Sequence, residues 1–205
     1  MKEPISVDIW YDYACPYVYR AAVVLHRVKE QSGGQLVLRW RYFSLEQVNQ
    51  KHGPGWKLWE QPETYPSRGR LAWKGAEAAR QQGEEAFERF HLALLRLRHE
   101  EAWELTKPET VIEAARRAEL DVGRFRRDFE AATLDGLARD HEEGVQRYGV
   151  FGTPTLVFEN GRAAYVKLRP LPPEAEYVAV WERLQEIIAE RPYIEEIKRP
   201  EPPRS

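Results

Sequence analysis

Sulfur is nearly absent from this chain: its 205 residues include one cysteine, Cys15, and one methionine, Met1. A single thiol cannot close an internal disulfide or build a zinc site from several thiolates, and it accords with a reducing compartment. An excess of one charge is also missing. With 31 Lys and Arg against 33 Asp and Glu the formal net charge is -2, so bulk electrostatics favours neither nucleic acid nor an anionic membrane. No stretch approaches the roughly 18 apolar residues of a spanning helix, and the opening MKEPISVDIWYDYA carries acids where a secretory signal needs an unbroken apolar core. The expectation is a soluble, unexported, cytoplasmic protein. The five histidines show no His-x-x-x-His spacing, so no metal site is expected.

What is present organises readily. Residues 5–12, ISVDIWYD, alternate in the period-two manner of a strand. Pro16 suits a first helical position, and Val18, Ala21, Ala22, Leu25 and Val28 recur at helical spacing until QSGG at 31–34. Residues 35–43, QLVLRWRYF, read as a second strand, completing a right-handed crossover with parallel strands. An irregular connection with Trp56, Trp59 and Tyr65 follows, those aromatics anchoring a long loop. Helical patterns then cover 67–82, 84–98, 106–120 with a Thr106 cap, a segment starting at Asp121, and 134–148 with Leu134, Leu137, His141, Val145 and Tyr148 on one stripe. On that stripe His141 reads as a packing residue, and the basic run from Arg68 to Gly83 as a solvated helix face. Asn160-Gly161, between apolar runs at 155–158 and 163–168, is a hairpin signal, and a last amphipathic helix spans about 173–190.

The predicted architecture is α/β: residues 1–45 and 149–190 form one discontinuous domain, 46–148 an inserted helical domain, and the proline-rich 191–205 a tail whose final residues are extended or disordered. Within it Cys15 falls at a helix N-terminus, where unsatisfied N–H groups and the macrodipole favour an anion such as a thiolate. Asp12, three residues earlier, reads either as a proton relay or as a strand-end carboxylate supporting the helix start. Of Tyr13, Tyr17 and Tyr19, Tyr17 is the candidate for a groove lining.

YDYACPYVY at the end of the first strand and GVFGTPTLVF after the helical block resemble the DsbA-like thioredoxin superfamily. Within it, the chain is most similar to the branch of FrnE-type isomerases, 2-hydroxychromene-2-carboxylate isomerases and kappa-class glutathione transferases. The resemblance covers roughly residues 5–190 and implies a thioredoxin-like fold with a helical insertion. It makes Cys15 the catalytic nucleophile, followed by Pro16. Thr153-Pro154 becomes the dipeptide with a cis bond facing that cysteine; only about 5–6% of X-Pro bonds in folded proteins are cis, so that geometry comes from the resemblance alone. With Tyr17, these residues would bind substrate, the exposed backbone of Thr153 pairing with an extended chain or with glutathione.

One departure limits the chemistry. Redox members read Cys-Pro-X-Cys, whereas here the second position is Val18, which cannot resolve a mixed disulfide. The expected function is therefore a single-cysteine thiol-disulfide oxidoreductase requiring no cofactor, with glutathione or another small thiol as partner and a thiol or disulfide, small or peptidic, as substrate. A glutathione-dependent isomerase or transferase, and a noncatalytic binding protein, are the alternatives. Neither nucleic acid nor membrane is an expected partner, and the resemblance implies a homodimer.

Overall fold

The computed structural model describes residues 4–199; the expectation for the last six residues lies outside them. Strand β1 (Ile5–Tyr11) leads into helix α1 (Pro16–Gln31) and strand β2 (Leu36–Tyr42). Helix α1 begins where it should, with Pro16 at its first position, and buries Val18, Ala21, Ala22, Val24, Leu25 and Val28 on one side. It stops before Gly33 and Gly34, both at positive φ. Strands β3 (Thr155–Phe158) and β4 (Ala163–Tyr165) flank the Asn160-Gly161 turn. Sheet order is β2-β1-β3-β4, with β1 parallel to β2 and antiparallel to β3. Being central, β1 is covered on both faces: Trp10 is as buried as Ile9 and Tyr11.

Between β2 and β3 lie α2 (Leu45–Val48), α3 (Arg70–Arg80), α4 (Glu84–His99), α5 (Pro108–Arg117), α6 (Val122–Ala131) and α7 (Asp135–Tyr148); α8 (Tyr177–Gln185) follows β4. Helices α3, α4 and α5 meet so closely that a Cβ on Gly75 would lie 2.3 Å from Val111 Cγ1 and 3.0 Å from Phe90 Cζ. Trp56 stacks on His52, and Trp59 packs near His141, so the aromatics of the long connection do anchor it. Among the described residues no helix is long and apolar enough to cross a membrane.

Four local expectations are corrected. Helix α5 is preceded by Lys107 without a side-chain cap, because Thr106 lies one residue too early; the nearby hydroxyl of Thr110 donates to the Glu104 carbonyl instead. On α7 the buried stripe is Leu137, Asp140, His141 and Gly144, with Val145 exposed. The Trp10 indole, which donates to the Asp140 carbonyl, occupies the space beside Gly144, where a Cβ would come within 2.3 Å of its nitrogen. The basic run is not a solvated face: Arg70 donates to the Gln61 carbonyl, and Arg80 to the Trp40 carbonyl and the Tyr42 hydroxyl. Finally, the last helix starts at Tyr177, the preceding turn being 3-10, and ends in a π-helical turn over Glu186–Glu190.

His141 is a packing residue, as expected, and its Nδ1 accepts from the Ser44 amide. Burial first, then the Lys57 ammonium, pushes it down to about 4; burial, then Lys29, does the same to His26. His91 is lowered well below the ordinary range by burial, and His99, against the Tyr13 carbonyl, is lowered too. Such groups contribute stability that is fully present above the unfolded value near pH 6.5 and is lost as pH falls toward 4. Asp12, raised by burial to about 6, and Asp140, also raised by burial, work in the opposite sense and offset part of that uptake. Denaturant midpoints measured against pH should therefore fall between pH 6.5 and 4.5, the four histidines outweighing the two carboxyls, with a net uptake of protons on unfolding near pH 5. A flat or rising profile would contradict this neutral-histidine core.

Candidate functional site

The site begins with the turn that ends β1. The Cys15 amide donates to the Asp12 carbonyl at 3.0 Å, and the Ala14 amide to Asp12 Oδ1 at 2.8 Å, so the aspartate folds the chain back on itself before α1. Its other oxygen, Oδ2, accepts from the Leu45 amide at 2.8 Å, tying the turn to the start of α2. Asp12 is 4% exposed. Burial raises its carboxyl to about 6 against the pull of those two amides, with Arg68 also favouring the charged form. Both oxygens serve backbone amides, and no hydrogen bond joins the carboxylate to Cys15 among the described residues. Of the two sequence readings, the geometry matches structural support of the helix start rather than a relay.

Cys15 takes the N-cap position in extended conformation (φ -87°, ψ 117°), but its sulfur caps no helix amide. Instead Sγ lies 3.2 Å from the Thr153 carbonyl. A carbonyl can only accept, so the thiol is the donor in this contact. The sulfur therefore faces the other motif rather than the amides of the helix start. The Thr153–Pro154 peptide is cis, and the Val166 amide holds the Pro154 carbonyl at 3.0 Å. Cys15 is 5% exposed and Thr153 1%. The expectation of an exposed Thr153 backbone is therefore also corrected, since the residue is buried and its carbonyl is taken by the thiol. The Thr153 hydroxyl is buried without a hydrogen-bond partner.

Around this pair Pro16 is exposed and Tyr17 half-buried. The Tyr17 ring carries Arg20 Cζ at 5.5 Å and Lys167 Nζ at 5.1 Å from its centroid. Tyr13 is core, packed with Tyr11, Trp73 and His91, while the Tyr19 hydroxyl donates to Glu100 at 2.6 Å. Val18, one helical turn beyond Cys15, is fully buried. Lys167 escaped the sequence reading. Its place near the site follows from the Val166 amide, which bonds the Pro154 carbonyl, and from the Tyr17 ring that it shares with Arg20.

With that geometry established, comparison with known proteins places the chain. Residues 6–171 match the DSBA-like thioredoxin domain, and the chain belongs to that family. Its fold is the thioredoxin-like α/β fold of that family, a four-stranded sheet with helices. A curated relative, uncharacterized protein Rv2286c of Mycobacterium tuberculosis, is 27% identical over 203 residues, covering 97% of this chain and 83% of the relative. Among solved structures, a 2-hydroxychromene-2-carboxylate isomerase superposes with TM-score 0.61 at 15% identity, over 89% of this chain and 95% of that one. The cytosolic disulfide reductase DsbM from Pseudomonas aeruginosa, solved with GSH, superposes with TM-score 0.58 at 19% identity, over 88% and 99%. At these identities the structures share the fold.

Because Asp12 satisfies two buried amides, Asp12→Ala should destabilise the fold by about 2 kcal/mol, the loss of those acceptors exceeding the relief of an unburied carboxylate. Urea denaturation measures the loss. The rate of Cys15 alkylation should stay within about twofold under native conditions, the turn being redundant with the Cys15 contact; a tenfold fall at unchanged stability would restore the relay.

Proposed function

We propose that this protein is a thiol-disulfide oxidoreductase working through Cys15 alone, by mixed disulfides with a small thiol such as glutathione, in a cytoplasmic, reducing environment. The observation that carries the reading is the 3.2 Å contact between Cys15 Sγ and the Thr153 carbonyl at the cis Thr153–Pro154 bond. It joins the chain's one thiol, in the first of the two motifs, to the second. In the first step the thiol loses its proton to solvent and leaves the carbonyl. The thiolate then attacks one sulfur of a disulfide RSSR′, forming Cys15–S–SR and releasing R′S⁻. A second thiolate R″S⁻ attacks the R sulfur, giving RSSR″ and restoring Cys15. Both electrons move between the small partners, and Val18 takes no part. The step needs local opening, because Cys15 is only 5% exposed.

A second reading draws on the same contact. With a buried Val18 and a sulfur that donates a hydrogen bond, Cys15 could act as a serine would, positioning the sulfur of bound glutathione for an isomerase or transferase reaction. A noncatalytic binding protein is the remaining alternative.

Incubation with oxidised glutathione separates these readings. The first predicts one glutathionyl adduct by intact mass, removed by dithiothreitol and absent in Cys15→Ser. No adduct, together with saturable binding of reduced glutathione that survives Cys15→Ser, would replace it with the second; no adduct and no binding would leave the binding protein. The first also predicts that Val18→Cys, one turn away and within disulfide-forming Cα separation, will close a disulfide on oxidation. That variant should gain dithiol turnover, read as catalysed reduction of a disulfide substrate by dithiothreitol.

A further inference from the structure

The Cys15 site has a cationic side that its chemistry leaves unused. Lys167 is exposed, yet its ammonium is held in place, with Nζ 5.1 Å from the centroids of both Tyr17 and Tyr165. Tyr165 is in turn braced edge-on by Phe151, which is 67% exposed. The backbone holds this cation near the site: Val166 N–H bonds the carbonyl of the cis proline Pro154, so Lys167 follows directly on the residue anchored beside Thr153, whose carbonyl holds the sulfur. Arg20 lies over the Tyr17 ring and donates to the Leu168 carbonyl. Two cations thus share one aromatic ring two residues from the thiol.

No carboxylate answers Lys167 among the described residues. Glu100, at the end of α4 next to α1, is taken by Tyr19 and Arg96. The Tyr165 phenol above all, then Tyr17 and Cys15, pushes the Lys167 ammonium up from its ordinary value. Electron-rich ring faces hold a cation without neutralising its charge, so Lys167 keeps its field for whatever approaches the sulfur.

We propose that Lys167 is the specificity-determining residue of the Cys15 site, selecting disulfide partners that carry a carboxylate close to the reacting sulfur. This inference rests on the reading of Cys15 as an exchanging thiol. The carboxylate meets Lys167 while the apolar stem of the partner lies along the Tyr17 and Tyr165 rings, and the disulfide is presented to Cys15. The exchange itself is unchanged: one S–S bond breaks, one forms, and the leaving thiolate departs.

The test compares three small disulfides of different charge: dithiodipropionate (anionic), hydroxyethyl disulfide (neutral) and cystamine (cationic). The rate of adduct formation on Cys15 is measured by intact mass and divided by the rate of the same disulfide with a free neutral thiol. For an exposed pair of charges the expected anionic preference over the neutral probe is about two- to fivefold, with cystamine slower than neutral, and added salt should shrink the spread. Lys167→Gln should abolish the preference while leaving the neutral rate within about twofold, and Lys167→Arg should retain it. Equal normalised rates for the three probes in the native protein would overturn the proposal. So would an equal fall for all three in Lys167→Gln, which would mean that Lys167 acts on the sulfur rather than on the partner. Failure of every probe to form an adduct would instead remove the underlying reading of Cys15, and the proposal with it.

Discussion

A hydrogen bond from the Cys15 thiol to the Thr153 carbonyl spans 138 residues of sequence and joins the two halves of the sheet region at the place where chemistry can occur. It exists because β1 is the central strand. Parallel pairing with β2 sends α1 back across the sheet, and antiparallel pairing with β3 brings the start of that strand beside the end of β1, Trp10 lying opposite Thr155. Two more anchors keep the contact in register. Asp12 locks the turn before α1, and the Val166 amide locks the strand around Pro154. A shift of one residue in either pairing would carry the sulfur away from its acceptor.

The contact also sets the resting chemistry. The thiol donates to a carbonyl, and a cysteine only 5% exposed is shielded from casual oxidation. On the proposed reading, exchange at Cys15 begins with an opening of the site. That differs from the simple picture of a cysteine charged by a helix N-terminus, even though Cys15 does occupy the N-cap of α1. On that same reading, Val18 in the core leaves the opened sulfur without an internal partner, and an outside thiol completes the exchange.

Much of this was legible in the sequence, and the failures share a cause. Alternation marked β1, Pro16 and the two glycines bounded α1, and Asn160-Gly161 placed the hairpin, because each is a local signal. Partners distant along the chain were not visible. Nothing near Arg80 announces that the Trp40 carbonyl and Tyr42 hydroxyl will receive it, and nothing near Val145 shows that Trp10 has claimed the neighbouring face at Gly144. The same holds at the site. Cys15, Pro16, Thr153 and Pro154 could be named from two motifs, but the direction of the sulfur's hydrogen bond, and the burial of Thr153, depend on the meeting of those motifs. Lys167 carried no local signal at all, and only the folded hairpin brings it over the Tyr17 ring.

The hydrogen bond from the Cys15 thiol to the Thr153 carbonyl is open to vibrational spectroscopy without labels, because the chain has a single cysteine. In the native protein in mildly acidic buffer, Raman scattering should show one S–H band displaced to lower frequency than that of a solvated cysteine thiol, absent in Cys15→Ser and returning to the solvated position on unfolding. An undisplaced band, or no S–H band at all, would contradict a thiol bonded to the Thr153 carbonyl.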